Sequence, residues 1–539
     1  MAKTRIRFKD KRIGEVDLSP TQKYTIGRHP DNDLCLGKDD VASRFHCVIE
    51  PGPNGSFLLK DLGSRNGTHV NGKSVSTAEL KGGDTVQVGK QTFVVYAEEP
   101  KPRRKRVPLS AQSGKLAPWA QELRTTIDDI PPKSSEDEHI VLVNADDTVS
   151  PALESAADGS QAVRMLLVLA SKGRATDIHL EPKREFLSVR IRVDGGMVHV
   201  VDLPSEVGER TMGVIKTACQ MKQAARDAVL DGHFAADIDD RRVDFRASFT
   251  PTVHGQKLVI RILDGRTAPQ SISELDMPQF VEKRLVQLCD QNAGMLLACG
   301  PTGSGKTTTL YNCLRTIDRT VRNVVTIEDP VEYQLDNTTQ IPVSDRQGFG
   351  DLLRSVLRQD PDVILVGEIR DDETARTAMQ AAMTGHLVFS TVHAKDSISA
   401  VFRLLDLNVE PYLVANSVNV IIAQRLLRLL CPHCKRDVRV TPGQATRLGR
   451  YLRDQDHTYA ATGCRRCLRT GYIGRKAIFE MLDFNDELRD CVLTRPSIQA
   501  MRRIVEQGVF RTLQQAGWLL AAEGKTSLDE VDRVAGIGG

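Results

Sequence analysis

The run GPTGSGKTTTLY at 300–311 has the residues of a phosphate cradle. Gly300, Gly303 and Gly305 let the backbone curl until successive N–H groups point at phosphate oxygens, and Lys306 supplies a point charge. Thr307 offers Mg²⁺ a hydroxyl, and Pro301, Thr302, Ser304 and Thr308 complete the expected ATP-binding set. The strand MLLAC before the loop and the helix TTTLYNCLRTI after it are the context such a loop requires. Hydrolysis needs more: carboxylates at the ends of neighbouring strands, to order water and metal. VVTIEDPVEY places Glu328, Asp329 and Glu332 where a strand stops at Pro330, and DVILVGEIRD places Glu368 just past an apolar strand. An acid ending a buried strand is costly unless it works or is paired. Spacing leaves open which of them is the general base. LVFSTVH ends on His393, which could sense a terminal phosphate, and His386 precedes that strand.

A second constellation is metallic. Cys431 and Cys434 form one C-x-x-C pair and Cys464 and Cys467 another. Four such thiolates can close a tetrahedron around Zn²⁺, leaving no open position for catalysis, so the expected role is structural.

These residues need elements to hold them. Residues 1–97 contain short β-strand patterns (TRIRF, KYTIG, HCVIE, SFLLKDL, TVQVG, QTFVVYA) broken by Gly, Asn, Asp and Pro, which predicts a sandwich. Residues 98–157, rich in Pro, Ser and charge, are predicted to be a flexible linker, and its cluster KPRRKR at 101–106 a solvated stretch. Helix and strand patterns over 158–266 predict an α+β domain. Alternating strands and helices over 267–430 predict a mostly parallel sheet wrapped by helices. The four-cysteine module follows at 431–474, and 475–539 is predicted to be helical.

A chain of 539 residues is too long for one core, and 73 basic against 70 acidic residues give only +3. No strong overall field draws it to nucleic acid or anionic lipid, so nucleic acid is not an expected partner. The longest apolar runs, such as MLLVLA at 165–170, fall far short of a membrane span, and MAKTRIRFKDKRIGE has no apolar signal core. A cytoplasmic protein with reduced cysteines is expected, meeting a membrane only through partners.

GPTGSGKTTTLY, TIEDPVEY, ILVGEIRDDETA and TGHLVFSTVHAKDS, in this order and spacing, resemble the Walker A, Asp box, Walker B and His box of the secretion ATPase superfamily, nearest the type II secretion and type IV pilus assembly ATPases. The resemblance continues through ATDIHLEP, VRIRVDG, HGQKLVIRIL, GYIGRKAIFEML and AAEGKTSLDEV, covering roughly 158–539. It implies a PAS-like second domain, a RecA-like ATPase domain and a homo-hexamer working with an inner-membrane platform protein. It also implies that Glu332 orients attacking water, that Glu368 stands near Mg²⁺ and that His386 and His393 form the His box. Arg246 and Arg261 match segments whose arginines reach a neighbour's nucleotide, and His233 in DGHFAAD stands where relatives usually carry Arg, putting its loop contacts in question. The four-cysteine module occurs in the assembly and export branch.

YTIGRHPDNDLCL, VASRFHCVIE and KDLGSRNGTHVNG resemble a forkhead-associated (FHA) domain, a sandwich that binds phosphothreonine. Arg28 can fork onto phosphate and Ser43 can donate a hydroxyl, with Arg44, Arg65 and Asn66 on loops able to hold phosphate and peptide backbone, while His46 braces the loop. The expected whole is a hexameric ATPase of a secretion or pilus-like machine, regulated through a phosphothreonine-containing protein. Two alternatives are a phosphothreonine-reading scaffold with an ATP-dependent assembly switch, and a DNA-uptake or conjugation motor.

Overall fold

The computed structural model describes residues 4–8, 15–18, 23–97 without 38 and 53–55, 116–131, and 140–536 without 154, 156, 226, 239–240, 265–268, 345 and 453–455. The chain divides into two compact units, residues 1–107 and 108–539.

The first unit is a sandwich of a five-stranded and a six-stranded sheet. Ile26, Ile49 and Leu59 of one sheet and Val86, Val88 and Phe93 of the other share one core. Period-two patterning produces this: Thr85–Val88 buries Val86 and Val88 and turns Gln87 outward. The last strand ends at Ala97.

In the second unit, part of the segment expected to be a flexible linker is folded. The helix Pro118–Asp129 buries Trp119, Leu123 and Ile127, spaced four apart on one face, in the same core as Leu142. The strand Ile140–Val143 adds an edge to the next sheet by pairing with Leu230–Ile238. Composition averaged over 98–157 hides these two short apolar patterns; the KPRRKR cluster lies outside the described residues. The α+β domain is a seven-stranded antiparallel sheet whose core face is covered by helices including Asp158–Lys172 and Ser205–Ala218. Its other face is charged. His233, Arg246, Arg261, Asp177 and Arg192 fall in one cross-strand row.

The third sheet runs in the order Thr339–Pro342, Val324–Glu328, Val363–Val366, Leu387–Val392, Gly294–Cys299, Val418–Leu430, Tyr472–Asp483. All neighbours are parallel except the last pair. Its central strands are apolar runs buried on both faces, as a helix-covered parallel sheet demands. Residues 475–483, expected in a helical tail, belong to the strand Tyr472–Asp483, because Phe479 and Leu482 complete the two cores on either side of the sheet. Four helices follow, each started by a capping side chain: Asn485, Ser497, Thr512 and Ser527. Among the described residues, no helix is long and apolar enough to cross a membrane.

Candidate functional site

The cradle sits at the carboxyl end of the strand Gly294–Cys299, between two parallel neighbours, and opens the helix Lys306–Thr316. A Cβ on Gly300 would lie 2.6 Å from the Gln424 carbonyl oxygen, and one on Gly305 2.7 Å from Gln424 Nε2. Both glycines therefore let the loop lie against the next strand. Lys306 Nζ donates to the carbonyls of Gly300 (2.8 Å) and Pro301 (3.0 Å), and its burial pulls its pKa below the usual lysine range. The charge is held at the loop itself.

Lys306, Thr307, Glu332, Glu368 and His393 converge on one cleft of about 480 Å³. Glu368 follows the strand Val363–Val366, and His393 follows the adjacent strand Leu387–Val392, so parallel pairing brings them together: His393 Nε2 lies 3.1 Å from Glu368 Oε2. Arg370 pairs with the other Glu368 oxygen. Burial works to raise the Glu368 pKa, but Arg370 and then His393 outweigh it and hold the carboxyl below its ordinary value. Arg370, also 3.7 Å from Asp329, was not singled out from the sequence, although it stands two residues from Glu368 in the same motif.

Glu328 takes a different part from its neighbours. It is 3% exposed, one oxygen accepts from Tyr311, and the other accepts from Thr326 (2.5 Å) and Gln340 (3.1 Å). Three donors satisfy it inside the protein, so it ties the helix Lys306–Thr316 to the strand Thr339–Pro342, whereas Glu332 is exposed. His386 is not brought to the cleft. It precedes the strand Leu387–Val392, at the opposite end from His393 and about 23 Å away at ~3.3 Å per residue, and its Nδ1 lies 3.0 Å from the Ala381 carbonyl oxygen.

Arg246 donates to the Val331 carbonyl (3.0 Å), beside Glu332 and within the same chain. Arg261 pairs with Asp177 at 3.2 Å. His233 lies in a strand rather than a loop, opposite Arg246, and lines a cavity with both arginines.

The sulfurs of Cys431, Cys434, Cys464 and Cys467 all lie within 4.8 Å of one another. Cys431 to Cys464 and Cys434 to Cys467 are both 3.9 Å, and Cys464 to Cys467 is 3.7 Å. A tetrahedron with Zn–S near 2.3 Å has S···S edges of about 3.8 Å. Backbone N–H groups of Cys464 and Gly471 also point at Cys467 Sγ (3.1 and 3.2 Å). The four side chains fit a zinc ion.

In the first unit, Arg28, Arg44, Arg65 and Asn66 are exposed on loops at one end of the sandwich. Backbone bonds from Arg28 to Ser43 (3.1 Å) and from His29 to Arg44 (3.0 Å) join two of these loops. The Arg65 N–H donates to Ser43 Oγ (3.1 Å), and Asn66 Nδ2 to the Val41 carbonyl (2.7 Å). His46 is fully buried, its Nδ1 accepting from the Ser43 N–H (3.0 Å) and its Nε2 3.2 Å from the Gly67 carbonyl oxygen, so it braces both loops. Asn32 adds a bond to the Arg44 carbonyl (2.8 Å), a support not singled out from the sequence.

A phosphate loop at the carboxyl edge of a parallel sheet, faced by acids from adjacent strands, defines a P-loop nucleotide-binding protein. A family model described as type II/IV secretion system protein matches residues 155–533, and an FHA-domain model matches 24–89. The chain belongs to the type II/IV secretion system protein family and carries an FHA domain. It is 40% identical to type II secretion system protein HxcR of Pseudomonas aeruginosa over 382 residues, 70% of this chain and 78% of that one. It is 38% identical to the type IV pilus assembly ATPase PilB of Myxococcus xanthus, covering 68% of this chain and 66% of that one. The ATPase DotB of Legionella pneumophila shares the fold, with a TM-score of 0.52 at 20% identity over 69% of this chain and 94% of that one.

Proposed function

We propose that the chain is a hexameric ATPase powering a type II secretion or type IV pilus-like assembly machine. It acts at the cytoplasmic face of the inner membrane through a platform protein and is controlled by phosphothreonine recognition at its FHA domain. The observation that carries this is the convergence of Lys306, Thr307, Glu332, Glu368 and His393 on one cleft, in a chain whose relatives are named type II secretion proteins and a pilus assembly ATPase.

The loop N–H groups hold the phosphates, and Lys306 turns from its carbonyl partners to the phosphate oxygens. Thr307 would hold Mg²⁺, which when bound neutralises phosphate charge. Glu332 orients the attacking water, and Glu368 forms the acidic wall beside Thr307. His393, hydrogen-bonded to Glu368, senses whether the terminal phosphate is present. Arg246 and Arg261 supply positive charge when subunits close, which couples hydrolysis to movement. A cavity of about 540 Å³ shares Gly305, Thr308 and Leu426 with the cleft and takes the nucleoside. Cys431, Cys434, Cys464 and Cys467 hold a structural zinc.

Steady-state turnover of the full chain is expected to fall at least ~100-fold in Lys306→Ala. Equal, slow hydrolysis by both proteins would leave a scaffold whose ATP site acts only as an assembly switch. For the first unit, threonine peptides are expected to bind only when phosphorylated, and Arg28→Ala to abolish that difference. Equal affinity for both peptide forms would remove the regulatory role.

A further inference from the structure

Two buried charges beneath the P-loop take no part in the chemistry above. Arg425 is 6% exposed and Glu480, on the neighbouring antiparallel strand, 4%. Arg425 donates through Nη1 to the Gln424 carbonyl (2.9 Å) and through Nη2 to the Lys395 carbonyl (2.5 Å). Its Nη1 would also lie 2.9 Å from a Cβ placed on Gly300, so the guanidinium packs under the first glycine of the loop. Lys395 comes two residues after His393, the partner of Glu368.

The segment continues into Glu480. Ser397 donates its N–H (2.9 Å) and its hydroxyl (2.6 Å) to Glu480 Oε1, and the Leu513 N–H donates to Oε2 (3.1 Å) at the start of the helix Leu513–Ala522. Burial pulls the Arg425 pKa down and pushes that of Glu480 up. Well-packed apolar side chains often hold a scaffold as stably as buried ions do. Stability alone therefore gives no reason for an arginine and a glutamate at these positions.

We propose that Arg425 is a positioning residue. It links the P-loop to the segment Lys395–Ser397, holding His393 against Glu368, and when nucleotide fills the loop Glu480 passes the displacement of that segment to the helix Leu513–Ala522. This rests on the ATPase reading for its effect on turnover, but not for its effect on the helix.

The test uses the full chain as wild type, Arg425→Lys and Ser397→Ala, with Lys306→Ala as control. Arg425→Lys keeps the charge and loses the two-pronged grip. Its kcat is expected to fall about 10- to 100-fold with KM within about threefold of wild type. Mg-ADP is expected to slow hydrogen exchange at the Leu513 amide in wild type and not in either variant. A kcat within about twofold of wild type, or the same Mg-ADP protection at Leu513 in the variants, overturns the proposal. If Arg425→Lys does not fold, Ser397→Ala decides by the same two readouts. Turnover indifferent to Lys306→Ala would sink the ATPase reading instead, and exchange at Leu513 would still judge the relay.

Discussion

At Glu368 the Arg370 guanidinium and the hydrogen bond to His393 work against burial, and together they win. A carboxyl whose folded pKa lies below its unfolded one contributes stability above the ordinary carboxylate range and loses it as pH falls through the folded value. If ionised Glu368 is needed for turnover, the same pKa sets the acid limb of the rate. Arg370→Ala removes the stronger favourable partner, so the acid limb of kcat/KM is expected to move to higher pH while the alkaline limb stays in place. A pH profile that does not move would separate Glu368 from the reaction. The acid was legible as a charge ending an apolar strand. Its partner was not, since Arg370 meets Glu368 only through the turn that the strand makes after Val366. Glu328 and Glu332 looked alike in sequence. Folding separates them: Glu328 ends inside the sheet among three donors, while Glu332 stands out on the loop.

Among the elements, the P-loop was the most legible, because its glycines answer a backbone requirement that sequence spacing records. The structure ranks those glycines. Gly300 (φ 151°) lies against Gln424, whereas a Cβ on Gly303 (φ 77°) meets nothing within 4 Å. Gly303→Ala is therefore expected to cost only conformational strain, about 1–2 kcal/mol, and to keep Mg-ATP binding. Gly300→Ala must also displace the Gln424 backbone or Arg425, and is expected to lose binding by more than tenfold. Calorimetric titration of Mg-ATP into both variants checks the order; equal losses would mean that the neighbouring strand does not constrain the loop. Other elements were hidden. The helix Pro118–Asp129 rests on four apolar residues, Trp119, Ala120, Leu123 and Ile127, in a charged stretch, and its amphipathic face has meaning only once the core that receives it exists. The strand Tyr472–Asp483 is likewise explained by its long antiparallel pairing with Val418–Leu430, which no local pattern announces.

Across the second unit, the four-cysteine module joins parts that lie far apart in sequence. Cys431 directly follows the strand Val418–Leu430, and Cys467 shortly precedes Tyr472–Asp483. Leu468, just past the last cysteine, packs on the core of the α+β domain near Gly173, and Arg465 approaches Asp129 at 4.0 Å. The spacing of the cysteines revealed the tetrahedron but not this docking, which depends on residues from three regions meeting. If a zinc ion holds the module, removing it should loosen the grip on the helix Pro118–Asp129, whose Trp119 is 6% exposed. In a Trp518→Phe background, where Trp119 is the remaining tryptophan, a zinc chelator is expected to shift emission to longer wavelength and to lower the unfolding temperature by several degrees, consistent with ~2–4 °C per kcal/mol in a domain of this size. Cys464→Ser should reproduce both changes, and the chelator should add little to that variant. A chelator that strips zinc yet leaves emission and unfolding unchanged would confine the metal to local folding of the module. The α+β domain would then be held to the P-loop sheet by contacts such as the Gly474 N–H to Asp194 bond at 2.9 Å.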